Sequence, residues 1–566
     1  MKKFFLIFIL IITSKAFCCT TILVTKKATK DGSLIVSHSD DDELGDQRIV
    51  SVPAKKNKKG DRRAIYPDLT TNYPRYVGKS SSKAYDIKGY KPTEPLGYID
   101  EVASTYSYFD GNYGIINEKQ LSLGECTNST YFYYDQEIGK RIMGIGQLSK
   151  IALERCDKAK DAIHLMGALA EKYGYYGYGE TLLVADKEEG WVFEISCDPE
   201  GESAIWVAKK VPDGEVFVAA NQFRIQEINP DDPDILYSSN LFDLSKKYNW
   251  NKNKTLNWLQ AVCPGEFDHP YYSLRRVWRA FDLINPSLKL SPYVENAFTK
   301  YYPFSIKPQN PLTIEDIMKI HRDHYEGTEF DLTKGTAAGP YGCPNRYVGK
   351  YDRVDFPNKM KTKLKGAWER SISIYYTGYT YVTQIRDYLP DAIGGITWIG
   401  FDDASLSCFV PFYAGINDLP KNIQYGSPQT FDKSNAWWPF NTCANWISYF
   451  YYASKDIIKK QNELEKLEFD NQLELEKKAL EMFDKSPKKA KKFLTKYCIK
   501  NSDFIVNEWW SLLNLLLAKY RDGFINIPEM AQLVGYPNWW LENAGYENGP
   551  INYMKKYTQQ TNYSEK

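Results

Sequence analysis

The chain has 566 residues, of which 43% are hydrophobic and 25% charged, enough for one large core with a smaller appended region. Its formal net charge is +1 at pH 7, so composition gives no reason to expect nucleic acid or an acidic membrane surface as a partner. No apolar run beyond the first 18 residues reaches the roughly 20 residues that a membrane-spanning helix needs. We therefore expect no stable membrane insertion of the chain without those residues.

The first 18 residues have the pattern of a secretory signal peptide. Lys2 and Lys3 form a basic start, residues 4–12 form a short apolar segment, and Ala16 and Cys18 put small residues at positions −3 and −1 of a cut before Cys19. A lipoprotein leader with a lipidated cysteine is the alternative, although Phe17 is bulky where a small residue is expected. We expect export to a periplasm, an endomembrane lumen or the medium, with a mature chain that begins at Cys19.

A cysteine at the first position of a mature chain carries its own base. The free α-amine has a pKa of about 7.7–8.0 and the thiol a pKa of about 8.5, so the amine can accept the thiol proton near neutral pH. The sequence therefore predicts that Cys19 is a nucleophile.

The residues after Cys19 predict a β-hairpin. Residues 20–25 are β-branched and apolar, residues 30–33 carry an Asp-Gly turn signal, and residues 34–36 are apolar again. Such a hairpin would bring residues 37–42, which include His38 and three aspartates, back beside Cys19, with a register good to a residue or two. A solvated loop is the alternative interpretation of the acidic run.

The remaining chain up to residue 453 reads as a mixture of strands and helices. Residues 43–108 favour loops and short strands, residues 113–126 a strand–turn–strand unit, and residues 146–172 a helix. Four apolar runs predict successive antiparallel strands at residues 181–185, 191–195, 204–208 and 216–220. Further helices are expected from Ser273 and over residues 313–322, and further strands at residues 372–374, 380–385, 394–401 and 407–412.

The character of the chain changes near Ser454. Residues 455–484 are dense in Glu and Lys with helical spacing and are ended by Pro487, and residues 504–520 predict a more apolar helix. A partner-binding coiled coil is the alternative, but three sustained heptads are lacking. We therefore divide the chain into a leader (1–18), a catalytic domain (19–453) and a helical C-terminal region packed on the catalytic body (454–566).

Cysteines and histidines do not predict a metal site. Without Cys18 and Cys19, eight cysteines remain, and an exported route permits disulfides that spacing alone cannot pair. None lies in a CxxC pair. His321 and His324 match no familiar zinc spacing, so we interpret them as ordinary polar residues at a helix end. No metal or organic cofactor is expected.

Several motifs together resemble the dipeptidase A family, which comprises N-terminal-nucleophile cysteine peptidases related to penicillin V acylases and choloylglycine hydrolases. The similar segments are residues 19–24, the 31–33 turn with the acidic run after it, and residues 220–222, 276–278, 322–328, 338–340, 389–395, 410–415, 509–510 and 536–540. The resemblance implies an α+β fold, a four-layer αββα sandwich with additional C-terminal helices. It also implies amide hydrolysis through a thioester acyl-enzyme.

The same resemblance implies roles for individual residues. Cys19 would be the nucleophile, Asp41 would hold its α-amine, Asn221 would help to bind the amine or the oxyanion, and Arg276 would lie near the nucleophile. An oxyanion donor from residues 124–128 is not placed. His38 stands where relatives usually have arginine, so it is either a charge that changes with pH beside the thiol or a satisfied buried histidine.

The sequence thus predicts an exported cysteine dipeptidase with small peptides, dipeptides, as its substrates. Two alternatives stay open: an N-acyl amide hydrolase of the penicillin, bile-salt or lipid amide type, and a non-catalytic surface or binding protein with the same fold. The preferred dipeptide and the oligomeric state, including a homo-oligomer, are not determined by the sequence.

Overall fold

The computed structural model describes residues 19–68, 72–250, 256–266, 272–293, 302–347 and 368–548. This part of the chain mixes helices and strands, as the sequence predicts. Its strands are β1 Thr20–Val24, β2 Leu34–Asp40, β3 Val50–Val52, β4 Lys55–Lys56, β5 Arg62–Ile65, β6 Gly97–Asp100, β7 Ser104–Thr105, β8 Tyr108–Asp110, β9 Gly114–Asn117, β10 Ser122–Asn128, β11 Gly179–Ala185, β12 Gly190–Cys197, β13 Ala204–Lys210, β14 Val216–Ala219, β15 Glu227–Ile228, β16 Ile235–Tyr237, β17 Leu256–Asn257, β18 Ser305–Ile306, β19 Tyr379–Ile385, β20 Ile396–Phe401, β21 Val410–Tyr413, β22 Phe524–Ile527 and β23 Met530–Leu533.

The α-helices of the same described residues occur between these strands along the chain, and two long ones follow β21. They are α1 Ile145–Arg155, α2 Ala159–Tyr173, α3 Leu241–Lys247, α4 Trp258–Val262, α5 Leu274–Ile284, α6 Ile314–Ile320, α7 Asp391–Gly394, α8 Lys421–Gln424, α9 Trp437–Tyr449, α10 Ser454–Lys485, α11 Pro487–Lys519 and α12 Asn538–Asn543. None of the helices in the described ranges is long and apolar enough to cross a membrane.

Two large antiparallel sheets organise the structure. A seven-stranded sheet has the order β18-β14-β1-β2-β19-β20-β21, and an eight-stranded sheet has the order β16-β13-β12-β11-β10-β9-β8-β3. Strand β1 therefore lies inside its sheet, between β14 and β2. Cys19 directly precedes β1, so it stands at the end of an interior strand rather than on a sheet edge.

Three hydrophobic clusters show how the layers meet. Because side chains alternate between the two faces of a strand, each sheet contributes to two clusters. One cluster joins the two sheets and includes Leu23, Val36, Leu183 and Val192. The second joins the eight-stranded sheet to α1 and α2 and includes Leu148, Ile163, Leu182 and Phe193. The third joins the seven-stranded sheet to α5 and α6 and includes Ile22, Val218, Val277 and Ile317.

The helix predicted over residues 146–172 is two helices. The chain leaves α1 at Cys156, which is extended, and Asp186 accepts a hydrogen bond of 2.8 Å from the backbone N–H of Ala159 at the start of α2. A side-chain acceptor at a helix start replaces the missing intrahelical partner. The carboxylate of Asp186, 27 residues away in sequence, therefore stabilises the start of a separate helix at Ala159. The spacing of apolar residues in α1 and α2 gives no sign of this contact.

Two strand predictions are corrected. The fourth of the predicted successive strands, β14, leaves the others and pairs with β1 in the seven-stranded sheet, where Thr25 Oγ1 accepts from the N–H groups of Gly214 and Glu215. Residues 372–374 are not a strand. The N–H of Ser373 donates to the carbonyl of Asp323 at 3.0 Å, so this segment is bound to a loop instead of a neighbouring strand.

The C-terminal helices α10 and α11 form an antiparallel pair joined at Ser486. Asp456 bonds Lys519 and Lys460 bonds Glu508, so residues far apart in sequence face each other along the pair. Pro487 occupies the first turn of α11, where its missing N–H has no intrahelical partner to lose. The second helix thus begins at Pro487 and not near Phe504 as predicted.

The helical pair shares a core with the rest of the structure. Leu464, Leu494 and Trp509 are buried in the same cluster as the seven-stranded sheet. The start of α10 at Ser454 coincides with the predicted start of the C-terminal region, but the division into domains stays a prediction. The nine cysteines of the described residues have free thiols, so none of these nine forms a disulfide.

Candidate active site

The pairing of β1 with β2 brings the acidic run to Cys19. Thr20 lies opposite Ser39 and Thr21 opposite His38, and the backbone N–H of Thr20 donates to Ser39 Oγ at 3.1 Å. The predicted hairpin is confirmed, with β2 continuing through Asp40. Asp40 is 2% and Asp41 1% exposed, so the acidic run is buried and the alternative of a solvated loop is wrong.

Arg276 binds the backbone of Cys19 directly. Its guanidinium donates to the carbonyl oxygen of Cys19 at 2.8 Å and to Thr20 Oγ1 at 3.0 Å. A second nitrogen donates to Asn221 Oδ1 at 2.6 Å. Because the guanidinium is planar, these bonds set the orientation of all three partners together. The structure therefore places Arg276 in contact with Cys19 and Asn221.

Asn221 connects this group to the eight-stranded sheet. Its side-chain amide donates to the carbonyl of Thr127 at 2.7 Å, and its backbone N–H donates to Cys126 Sγ at 2.6 Å. Asn221 has a φ of 59°, a left-handed conformation that asparagine tolerates better than most residues. Cys126 Sγ in turn lies 3.8 Å from the carbonyl oxygen of Cys19. Residues 124–128, in which the sequence identifies no particular oxyanion donor, thus border Cys19.

Asp41 is held by residues that no sequence motif indicated. Arg370 donates to Asp41 Oδ2 at 2.6 Å, Thr377 donates to Oδ1 at 2.6 Å, and Ser39 donates to Oδ2 at 3.1 Å. Burial raises the pKa of Asp41, and Arg370 and Thr377 oppose that rise. Because Ser39 also accepts from the N–H of Thr20, Asp41 is linked to the residue next to Cys19 through one hydroxyl.

The surroundings of the thiol keep it protonated. Burial raises the pKa of the Cys19 thiol well above its ordinary value, and the carboxyl groups of Glu125, Asp40 and Asp41 raise it further. Glu125 is itself buried, and Thr127 donates to its Oε1 at 2.8 Å. A thiol in this environment does not ionise spontaneously near pH 7, so a reaction at Cys19 needs a nearby proton acceptor.

His38 is a neutral histidine here. Its Nδ1–H donates to the carbonyl oxygen of Glu125 at 2.8 Å, and burial lowers the pKa of His38 to about 4. The hypothesis of a charge that switches near physiological pH is therefore wrong. The alternative of a satisfied buried histidine holds for Nδ1 but not for Nε2, which has no hydrogen-bond partner among the described residues. His321 contacts Ser37 Oγ through Nε2 at 2.8 Å, and His324 lies 3.2 Å from Glu326, beyond the end of α6 as the sequence predicts.

A cavity of about 400 Å³ adjoins this group of residues. Asn112 and Tyr113 line it; Asn112 donates to Asp40 at 2.5 Å, and the ring of Tyr113 packs edge-on against His38 with 5.9 Å between centroids. Its lining also carries charges of both signs, including Lys150 and Asp110, which lie 3.2 Å apart. The cavity lining thus mixes charged, polar and apolar side chains. It reaches the surroundings of Cys19 through Asn112 and Tyr113, and Cys19 itself is not among its lining residues.

Comparison with known proteins places these residues in a family. The profile of Peptidase family C69 matches residues 18–464. The chain belongs to peptidase family C69. The resemblance seen in the sequence is confirmed, and the chain is a peptidase. The match includes Cys19, Asp41, Asn221 and Arg276, whose individual roles stay predictions.

Several relatives of this C69 peptidase are similar over most of their length. A probable dipeptidase of Latilactobacillus sakei is 28% identical over 439 residues, which is 76% of this chain and 80% of the relative. Probable dipeptidase B of Lactococcus lactis subsp. lactis is 24% identical over 429 residues, 74% of this chain and 78% of the relative. Dipeptidase A of Lactobacillus helveticus is 25% identical over 53% of this chain and 56% of its own length.

Among solved structures, penicillin V acylase from Agrobacterium tumefaciens aligns with 73% of this chain and 89% of its own, at 11% identity and a TM-score of 0.26. This similarity is too low to carry an argument about the substrate.

Proposed function

We propose that this C69 peptidase is an exported dipeptidase whose mature chain begins at Cys19. The observation that carries the proposal is the position of Cys19: its carbonyl is bound by Arg276 while the buried carboxyls of Asp40 and Asp41 lie close enough to affect its thiol. A cut before Cys19 would create an ammonium group beside these carboxyls. The names of the relatives support dipeptides as substrates.

The proposed reaction uses the α-amine of Cys19 as the acceptor of the thiol proton. The sulfur attacks the carbonyl carbon of the substrate while the thiol proton passes to the amine. The tetrahedral intermediate collapses to a thioester as the amine returns the proton to the leaving amino group. Water then attacks the thioester, with the amine as base, and releases the carboxylate and the free thiol.

Supporting residues would orient these groups. Asp41 is the proposed partner of the amine. Arg370 and Thr377 fix its carboxylate, and Ser39, next to the start of β1, donates to it as well. Asn221 is the proposed residue that helps to bind the oxyanion or the amine, since Arg276 and Thr127 fix its side chain. Loss of one oxyanion donor typically lowers kcat about 10²–10³-fold.

We also infer the four-layer αββα arrangement for the catalytic body. Its support is the set of three clusters, one between the sheets and one on the outer face of each, against α1 and α2 and against α5 and α6. In this arrangement Cys19 lies between the two sheets, directly before β1.

The charged side chains in the cavity lining support a dipeptide over a long acyl chain as the substrate. A dipeptide presents a small ammonium and a small carboxylate, and the cavity lining carries both acidic and basic side chains. Sites that pair with such groups reject substrates lacking them by about 10⁴–10⁵-fold, whereas apolar pockets discriminate about 10–200-fold per methylene. The acylase alternative would need an apolar pocket.

A substrate comparison tests the proposal. The chain that begins at Cys19 is assayed with unblocked dipeptides, the same dipeptides after N-acetylation, and N-acylated amides. We expect turnover of the free dipeptides alone, lost in Cys19→Ala and retained after treatment with a chelator. Faster cleavage of N-acylated amides would show the acylase alternative to be correct, and no turnover of any substrate would favour the non-catalytic one.

A further inference from the structure

Three buried side chains of different chemistry converge at the start of β1. The Cys19 sulfur, one ring nitrogen of His38 and one carboxylate oxygen of Asp40 all lie within 4.8 Å of one another. His38 and Asp40 are two residues apart on β2, so they project from the same face, and Cys19 approaches from the paired strand. The three ligand types are thus held by interior strands of one sheet.

The hydrogen bonds of His38 leave one nitrogen available. Nδ1–H donates to the carbonyl of Glu125 at 2.8 Å, which leaves the lone pair on Nε2. Within the described part of the chain, His38 Nε2 is buried and has no hydrogen-bond partner. Histidines that bind metals commonly donate their other N–H to a backbone carbonyl in this manner, because the bond fixes the tautomer and the ring orientation.

Asp40 is supported in the same way. Asn112 donates to Asp40 Oδ2 at 2.5 Å, and carboxylates that bind metals are generally hydrogen-bonded by a neighbour. Two further acidic groups, Asp41 and Glu125, are buried close to Cys19, and Asp41 is already paired with Arg370. A dication bound by Cys19 and Asp40 would therefore lie close to the carboxyl of Glu125.

We propose that Cys19, His38 and Asp40 bind a zinc-type divalent cation that inhibits the enzyme. Thiolate, imidazole and carboxylate are the ligands zinc prefers, at distances of about 2.0–2.3 Å, and three protein ligands leave a fourth position for water or the α-amine. The metal replaces the thiol proton, which passes to solvent, and no redox change is involved. The lone pair of the Cys19 sulfur, which attack on a substrate requires, is then donated to the metal ion.

This ion is an inhibitor and not a cofactor. A chelator should therefore leave activity intact or raise it, in agreement with the expectation that the reaction needs no metal. The inhibitory effect rests on the proposed function, whereas binding of the ion does not.

Cobalt provides a test that is independent of activity. Co²⁺ is titrated into the purified full chain and into the chain that begins at Cys19, and the thiolate-to-cobalt charge-transfer band and the visible ligand-field bands are recorded. We expect one Co²⁺ per chain, displaced by Zn²⁺. The bands should disappear in Cys19→Ser, and affinity should fall by more than about tenfold in His38→Gln and Asp40→Asn.

Two controls locate the site. His164→Gln removes an exposed imidazole, and Cys126→Ser removes the neighbouring thiol; both should keep the cobalt spectrum. Thermal melts identify any variant that does not fold. If a variant fails to fold, the thiolate-to-cobalt band of the unaltered protein still tests the proposal. Absence of a thiolate band in the unaltered protein, or unchanged affinity in folded His38→Gln, would overturn the proposal. Metal binding without turnover of dipeptides would instead reject the proposed function alone.

Discussion

The guanidinium of Arg276 donates to the carbonyl oxygen of Cys19 at 2.8 Å, across 257 residues of sequence. The same side chain bonds Asn221. One residue of helix α5 thus fixes both the strand end at Cys19, the predicted nucleophile, and the loop at Asn221, the proposed oxyanion donor.

This contact predicts that Arg276→Lys impairs turnover. Lysine keeps the charge, but a single ammonium group cannot reproduce the planar set of bonds to Cys19, Thr20 and Asn221. A displacement of about 1 Å at a reacting group costs about 10²-fold in rate, so we expect kcat/KM to fall by about that factor. Steady-state kinetics with a free dipeptide measure it.

Arg275→Lys is the matched control for that variant. Arg275 is the preceding residue of α5 and lies over the ring of Phe330, 3.5 Å from its centroid. The Arg275→Lys variant should lower the free energy of unfolding more than it lowers kcat. Full kcat/KM in Arg276→Lys would refute the orienting role of Arg276.

A second prediction distinguishes the three aspartates of the acidic run. Asp41→Asn should lose most activity because the amine of Cys19 loses its charged partner while the side-chain volume is kept. Asp40→Asn and Asp42→Asn should retain far more. Kinetics and thermal melts of all three variants are compared, since Asp41→Asn also removes the carboxylate that is paired with the buried Arg370, and breaking a buried ion pair typically costs about 3–5 kcal/mol. A larger kinetic loss in Asp40→Asn would move the assignment to Asp40.

The third prediction concerns residues 1–18. While they are attached, the nitrogen of Cys19 is an amide and cannot accept a proton, so the precursor should be nearly inert. Intact-mass measurement and an activity assay on the same sample test this. Full turnover by the precursor would exclude the N-terminal amine as the base. If Cys19→Ala still loses the leader, a separate peptidase makes the cut; if it does not, the cut is autoproteolytic.

The fourth prediction is a pH dependence of stability from Asp46. Burial alone would raise the pKa of Asp46, but Arg48 and Arg75 outweigh it and lower the pKa below its ordinary value; Arg48 donates to both carboxylate oxygens. The unfolded chain therefore takes up the proton first as the pH falls. The stabilisation is complete above the ordinary aspartate pKa of about 3.9 and is lost as the pH falls through the lower folded value.

Denaturant unfolding at several pH values checks this expectation. Asp46→Asn should lower the free energy of unfolding at pH 7 by about 3–5 kcal/mol, as expected when a buried ion pair loses one partner, and the difference should shrink in acid. Asp61→Asn, at an exposed position, should change it by less than about 0.5 kcal/mol. A difference that stays constant down to pH 2 would contradict the assignment.

The sequence by itself determined the hairpin at Cys19 and the family. Apolar alternation on both sides of an Asp-Gly turn is a local signal, and it specifies a strand pair whatever the rest of the chain does. The motif at residues 19–24 and the later similar segments were sufficient for the resemblance to the dipeptidase A family, which the match to peptidase family C69 confirms. The prediction that Cys19 is the nucleophile likewise came from its chemistry and position alone.

Only the tertiary structure decided what surrounds Cys19. Asp41 meets Arg370 and Thr377 because β19 pairs with β2, with Tyr379 opposite Asp40, and this pairing brings a segment more than 300 residues away to the end of β2. The neutral state of His38 likewise follows from its burial and from a carbonyl on the opposite sheet. Such contacts carry no local pattern, because they depend on strand order and burial, which the whole chain sets together.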